Sequence, residues 1–451
     1  MTFRDFITNR FFRKQAQAEL EERSKPKDIK PPISPSPTHI NELVARLLDI
    51  NAVAAADEEL SLIGAVATPA LVAAMRDPRY QQEYERSNGS TFLPLGYVLG
   101  LLLDHAPDQA VPAAAPLIQS PSSEIRKSLA SHLGSSGRDD AVPLLAQLLN
   151  DDDGFVRSYV QMGVMSALKD GRASDRFRRE MYDIFLAQCD QEWKVAGNKA
   201  AFAVVTLDPE RAAVDLASER WLTPSNRDVH RIIQACNQSR IRLPADRIRQ
   251  LLDYSLARAV GNNCYPHQYI VAAALEALAL SLGDQAKTLI ESLLTSDQDE
   301  IQESAGRALV TLAGLDDPFN FVVERLQANG FASLTTPQRV VFFAHMFDAE
   351  VCNGGIMQFF GNSSGNQCAE TLEALRILDL PDAVHCLERA MNLVGPLSRE
   401  SDRDMRLSAF EDRYDELQAA FAPLESRYYA TAGQLRQRIL VFSAANAKHF
   451  R

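Results

Sequence analysis

Two stretches of this chain are variations on one pattern. "AVPAAAPLIQSPSSEIRKSLASHL", starting at Ala110, lies without gaps on "AVPLLAQLLNDDDGFVRSYVQMGV", starting at Ala141, an offset of 31 residues. Pro112 falls on Pro143, Leu117 on Leu148, Ile118 on Leu149, Ile125 on Val156 and Arg126 on Arg157. Each copy reads as a helix, a short polar turn with a Ser or Asp placed as an N-terminal cap, and a second helix. A pair of short helices cannot bury its own apolar faces, so neighbouring copies must stack and share a core. The chain is thereby committed to a helical repeat array.

Looser copies extend the pattern. They begin at Leu186 and Ile290, with Trp193-Lys194 and Ile301-Gln302 where the strong copies have an apolar residue followed by Arg. Between them "ADRIRQLLDYSLARAV" and "QYIVAAALEALALSLG" supply another helical pair. The period, the early proline and the apolar-Arg pair resemble HEAT repeats, and the array is read over 39–317. It is preceded by an amphipathic helix, 1–23, and by a linker, 24–38, whose five prolines enforce extended backbone. After "LDDPFNF" (315–321) the period is lost. Residues 318–451 are read as a separate helical domain, with helices expected from Thr335 or Thr336 onward and at about 366–378, 381–394, 409–423 and 431–447. The expected fold is all-α, a HEAT-like α-solenoid of helical hairpins followed by a C-terminal helical domain.

Charge narrows the function classes. Residues 41–317 carry 26 Lys+Arg against 38 Asp+Glu, an excess equal to the chain's net charge of -12, whereas 318–451 carry 13 against 16. An acidic balance disfavours direct binding to nucleic-acid phosphates and favours a basic partner. The six cysteines show no C-x-x-C spacing, which argues against a zinc site and a disulfide scaffold and fits a reducing cytoplasm. No signal peptide, membrane span or membrane partner is expected. No Walker loop, Rossmann fingerprint, nucleophile elbow or His-Glu-x-x-His is present. No catalytic residue, cofactor or metal is expected. His345, Asp348 and Cys352 share a helix side, and Asp151, Asp152 and Asp153 sit in a turn where helix capping accounts for them.

"EVCNGGIMQFFGNSSG" (350–365) interrupts the helical reading. Glu350 falls on the apolar stripe of Val340, Phe343, Ala344, Phe347 and Val351, so its carboxylate needs partners. Gly354 and Gly355 supply permissive backbone to end one helix, and the helix beginning at Ile356 offers unpaired N–H groups. The reading is a polar latch in which Glu350 fixes a helix–helix corner, with Asn353 and Gln358 as further donors and Ile356, Phe359 and Phe360 in the core.

Here the residues resemble the C-terminal domain of the DNA-mimic protein family. The matching positions are Glu350, Asn353, Gly354, Gly355, Gln358, Phe359, Asn362, Ser363 and Gly365, with Tyr428, Tyr429 and Phe450 further on. In that family's bacterial namesake an acidic surface imitates DNA phosphates and occupies a regulator's DNA-binding face. The resemblance therefore implies a non-enzymatic protein-binding module, a regulator or inhibitor of a basic partner. The near-balanced charge of 318–451 assigns the mimic charge, if any, to the repeats and leaves the motif to define the fold. A basic DNA-binding protein and a toxin remain open as partners. A structural adaptor without mimicry, and a HEAT-like enzyme, remain open as alternatives.

Overall fold

The computed structural model of the protein describes residues 35–85, 91–189, 200–259, 264–400 and 402–451. The N-terminal helix expected at 1–23, nearly all of the proline-rich linker, and Trp193-Lys194 lie outside them. Among the described residues the fold is all-α apart from one short antiparallel ladder, which pairs Tyr84 with Phe92 and Glu85 with Thr91. Two compact units divide the chain, one reaching Ile241 and one starting at Arg242.

The first unit opens at Pro37, inside the segment expected to be linker. Ser36 caps the helix Pro37–Arg46, and Pro37 fills a first-turn position that needs no N–H. Helices Val53–Ile63, Thr68–Arg76, Pro94–His105, Pro107–Ala114, Ser123–Ser136, Val142–Leu148, Gly154–Lys169, Asp175–Gln188, Ala200–Leu207, Pro209–Asp215 and Val229–Gln238 come next. In the two strong copies the second helices, Ser123–Ser136 and Gly154–Lys169, pack on each other. They are capped as read: Ser122 Oγ accepts the Ile125 amide and Asp153 Oδ1 the Phe155 amide.

The 31-residue offset is also visible in the hydrogen bonds. Arg126 Nη1 donates to the carbonyls of Ser120 and Pro121 at 2.6 and 3.3 Å, and Arg157 Nη1 donates to those of Asp151 and Asp152. Each arginine thus closes the turn of its own copy. Arg126 also spans copies, its Nε and Nη2 forking onto the Asp151 carboxylate at 2.6 and 3.1 Å. In the looser copy Gln302 takes over, with Nε2 donating to the Ser296 carbonyl at 2.6 Å. An amide can close the turn but cannot make the forked bridge.

The second unit contains Ala245–Leu256, Tyr265–Leu282, Lys287–Ser292 and Asp299–Leu312, then Pro318–Asn329, Thr336–Gly361, Cys368–Ile377, Pro381–Val394, Arg403–Glu411, Tyr414–Tyr429 and Ala432–Ala445. The boundary read at 317/318 falls inside it, because Asp299–Leu312 packs along Ala432–Ala445. Gln437 Nε2 reaches the Leu294 carbonyl at 2.8 Å and Arg436 meets Glu303 at 3.2 Å across that seam. The single helix expected at 409–423 is two, ending at Glu411 and restarting at Tyr414, with Pro423 inside the second.

Two helical runs, Val53–Arg76 and Tyr265–Thr295, are long and apolar enough to cross a bilayer, where the sequence reading expects none. Each is bent at a glycine of positive φ, Gly64 at 68° and Gly283 at 56°, and each contributes buried side chains to its own unit. Their hydrophobicity is that of repeat helices sharing a core.

Candidate functional site

The motif around Glu350 forms a corner inside Thr336–Gly361. Gln338 begins that helix by accepting the Thr335 amide at 2.8 Å. Val340, Phe343, Ala344, Phe347 and Val351 are buried along it as the stripe requires. At Gly354 and Gly355 the backbone leaves helical geometry, Gly355 taking φ 79°, and the helix resumes at a new angle. Glu350 is only 8% exposed. Its Oε2 accepts from Gln358 Nε2 and Asn362 Nδ2 at 2.7 and 2.8 Å, and its Oε1 accepts from Ser364 Oγ at 2.7 Å. Asn353 Nδ2 makes a longer contact, 3.4 Å, with Gln358 Oε1.

The other motif residues surround this carboxylate. Phe359 is fully buried, edge-on to Phe347 and Phe360. Gly365 passes so close to the carbonyls of Phe359 and Phe360 that a Cβ there would stand 2.9 Å from both. Ser363 borders a cleft of about 280 Å³ with Phe331, Phe342, Phe343 and Met346. Tyr428 donates to Asp348 Oδ1 at 2.7 Å, and Tyr429 donates to the Val351 carbonyl at 2.9 Å, one turn before the corner. Phe450 packs edge-on to Phe321.

One part of the latch differs from the reading. The amide of Ile356, at the start of the resumed helix, goes to Glu425 Oε1 at 2.7 Å and not to Glu350. Glu425 lies 69 residues further on, so nothing local to the motif indicates it. Glu350 instead binds side chains from the end of that helix and the turn beyond.

A second set of residues escaped the sequence reading. Arg406 is completely buried, and its Nε and Nη2 donate to the carbonyls of Phe360 and Asn362 at 2.9 and 2.8 Å. Arg403 Nε takes the carbonyl between them, Gly361, at 2.9 Å. Two arginines of one helix thus satisfy three successive carbonyls at the end of Thr336–Gly361. Arg406 Nη1 also donates to the Glu400 carbonyl, six residues back, as Arg126 does to Ser120. The signal exists in the sequence: "APLIQSPSSEIR" from Ala115 lies on "GPLSRESDRDMR" from Gly395, with capping Ser122 on Asp402 and Arg126 on Arg406. The turn that closes each repeat is used again beside the corner.

Chemically the corner is occupied. Both Glu350 oxygens hold donors, and Asp348 is bound by Tyr428, whose hydroxyl burial holds well above its ordinary range. Burial, with Asp348 beside it, pushes the Cys352 thiol up to about 11, so it is not a thiolate at neutral pH. His345 stacks on Phe319, and burial lowers its pKa. Among the described residues no group of three or more His, Cys, Asp or Glu is placed to hold a metal.

The corner and its supports lie where residues 332–446 match a family model, described as DMP19-like protein. This segment is similar to DMP19-like proteins. Residues 96–164 match HEAT repeats, a span containing both the Arg126 and Arg157 turns. No curated protein matches the chain. A crystal structure of an engineered protein is 15% identical over 81% of this chain and 97% of its own, with a TM-score of 0.23. That score is too low to bear on the fold. The DMP19-like domain thus contains every residue of the Glu350 corner, both arginines that close it, and Glu425.

Proposed function

We propose that the chain is a non-enzymatic protein-binding regulator whose HEAT repeats present the docking face to a basic partner, while the Glu350 corner holds the DMP19-like domain in shape. HEAT-repeat and DMP19-like families are generally non-enzymatic and point to protein–protein interaction. The observation carrying the reading is a row of large apolar side chains on the solvent side of Gly154–Lys169. Phe155, Tyr159 and Met162 are 48%, 37% and 59% exposed and keep helical spacing. Val156, Val160 and Val164 on the same helix face the core, so the exposed row is not needed for packing within the repeats. Contiguous apolar rows of this kind are anchors for partners.

Charge supports the choice of partner. In the DMP19-like domain, Glu388, Asp382 and Glu416 are paired with Arg376, Arg427 and Arg413, which weakens a phosphate-like array there. The stronger acidic excess lies in 41–317. A DNA-binding regulator and a toxin both have the required basic character. A cytoplasmic setting is supported by six free cysteines.

The test compares the full chain with Tyr159→Ser/Met162→Ser as bait in lysate of the native cells. A basic protein retained by the wild type, released by high salt and missed by the variant supports the proposal. Equal recovery by both baits overturns the assignment of the docking face.

A further inference from the structure

Helices Val53–Ile63, Pro94–His105 and Ser123–Ser136 wall a pocket of about 440 Å³. Its notable lining is Asp57, Gly96, Tyr97, Gly100, Asp104 and His132. The two glycines lie one helical turn apart, and the His132 ring covers the space they leave: a Cβ on Gly96 would stand 3.3 Å from Cε1, and one on Gly100 3.8 Å from Nε2. His132 Nδ1 lies 2.8 Å from the Ser128 carbonyl, which can only accept, so Nδ1 carries the proton. Burial lowers the pKa of the imidazole and keeps it neutral. Nε2 is then a lone-pair acceptor in the pocket wall, with no donor among the described residues.

Asp57 and Asp104 complete an acceptor-rich site. Neither carboxylate has a hydrogen bond or an ion pair among the described residues. Burial and the nearby Asp104 charge raise the Asp57 pKa. These three side chains are not grouped for a metal ion, and the volume is much larger than a bare ion needs. The complementary ligand is an organic cation with several donors, able to serve two carboxylates and an imidazole together. A guanidinium group has five N–H donors in a planar fork and stacks on aromatic rings, which Tyr97 provides. An ammonium has three donors and no flat face.

We propose that this pocket receives the guanidinium of an arginine side chain carried by the protein partner. The inference rests on the partner-binding reading and names the chemistry recognised. Ser123–Ser136, which walls the pocket, packs on Gly154–Lys169, the helix that carries the exposed row, and the proposed partner offers an arginine to the one and apolar residues to the other.

The full chain, with isotope-labelled histidine, is titrated with ethylguanidinium chloride or its neutral analogue ethylurea at constant ionic strength, and the imidazole Cε1–H signals are tracked by NMR. One signal, missing in His132→Gln, is expected to shift saturably with ethylguanidinium and not with ethylurea. Asp57→Asn and Asp104→Asn should each weaken binding by about tenfold, and Glu58→Gln, the same charge change at an exposed neighbour, should leave it unchanged. Gly100→Leu fills the pocket while keeping every charge, and should abolish the shift in a chain whose helical circular dichroism is intact. No saturable shift in the folded wild type, or undiminished binding by Gly100→Leu, overturns the proposal. Failure here leaves a captured partner that depends on Tyr159 and Met162 untouched. If ethylguanidinium binds in the pocket but the basic partner's binding ignores Asp57→Asn, the ligand is a free guanidino compound and the partner-arginine assignment falls.

Discussion

Glu425 places its carboxylate where a side chain on Gly355 would have to go: its Oε1 accepts the Ile356 amide and crowds the position of a Cβ at residue 355. Gly355 also takes φ 79°, which L residues rarely adopt. Gly355→Ala should therefore cost about 2–3 kcal/mol, from strain and from displacing Glu425. At Gly354, whose φ is -156°, a Cβ meets the Gln358 side chain that also holds Glu350, but no positive φ adds strain, so Gly354→Ala should cost less. Urea unfolding of the full chain and both variants measures the difference, and equal losses would refute the role given to Glu425.

Removing the Glu350 carboxylate strands three donors that converge on it, those of Gln358, Asn362 and Ser364. Glu350→Ala should destabilise by about 3 kcal/mol, and Glu350→Gln by less, because it keeps one acceptor. Both variants should still retain the partner at temperatures where they are folded. A variant with wild-type stability but no partner would turn the corner from a joint into a binding surface.

Arg406 and Arg403 perform the same task at different depths. Arg406 is wholly buried, and desolvation lowers its pKa, whereas the Arg403 side chain is 52% exposed. Lysine cannot reach several carbonyls as a fork does. Arg406→Lys should cost about 2–3 kcal/mol and Arg403→Lys under about 1 kcal/mol, read from the midpoint of urea unfolding.

Acid should weaken both units. Burial, with the Arg231 charge added, pushes the His230 pKa down to about 4, and burial lowers those of His132 and His345. Such a histidine binds fewer protons folded than unfolded. Its stabilisation is complete above the unfolded value of about 6.5 and is lost as pH falls towards the folded value. Melting temperatures should drop between about pH 6.5 and 4, and His230→Asn should flatten that slope, with His230 contributing on the order of 1 kcal/mol after allowance for partial exposure. A slope unchanged in the variant would remove His230 from the account.

The repeats were legible because their signals are local. Capping Ser122 and Asp153 stand four residues before Arg126 and Arg157, and the carbonyls these arginines close lie six residues behind them. The Glu350 corner was partly legible for the same reason, since Gln358, Asn362 and Ser364 come within fourteen residues. Glu425 was not, because it reaches Ile356 from a helix whose own pattern asks nothing of it. Arg406 was hidden differently. Ile125 and Val156 are buried before their arginines, but Met405 before Arg406 is 57% exposed. Without that apolar anchor in a repeating register, Arg406 reads as one more charge among Arg399, Arg403, Asp402 and Asp404.

The packing of Asp299–Leu312 against Ala432–Ala445 also bears on solubility. A stack of helical hairpins ends in an apolar face with no neighbour, and such open ends invite end-to-end association. Here Gly306 lets Leu440 approach that last repeat-like helix to 3.1 Å of where a Cβ would lie, and the closing helix of the DMP19-like domain covers the face. The domain is thus the lid on the array as well as a module beside it. A fragment cut at residue 318 would uncover Leu440 and Ile439 on one piece and the repeat face on the other, leaving both prone to self-assembly.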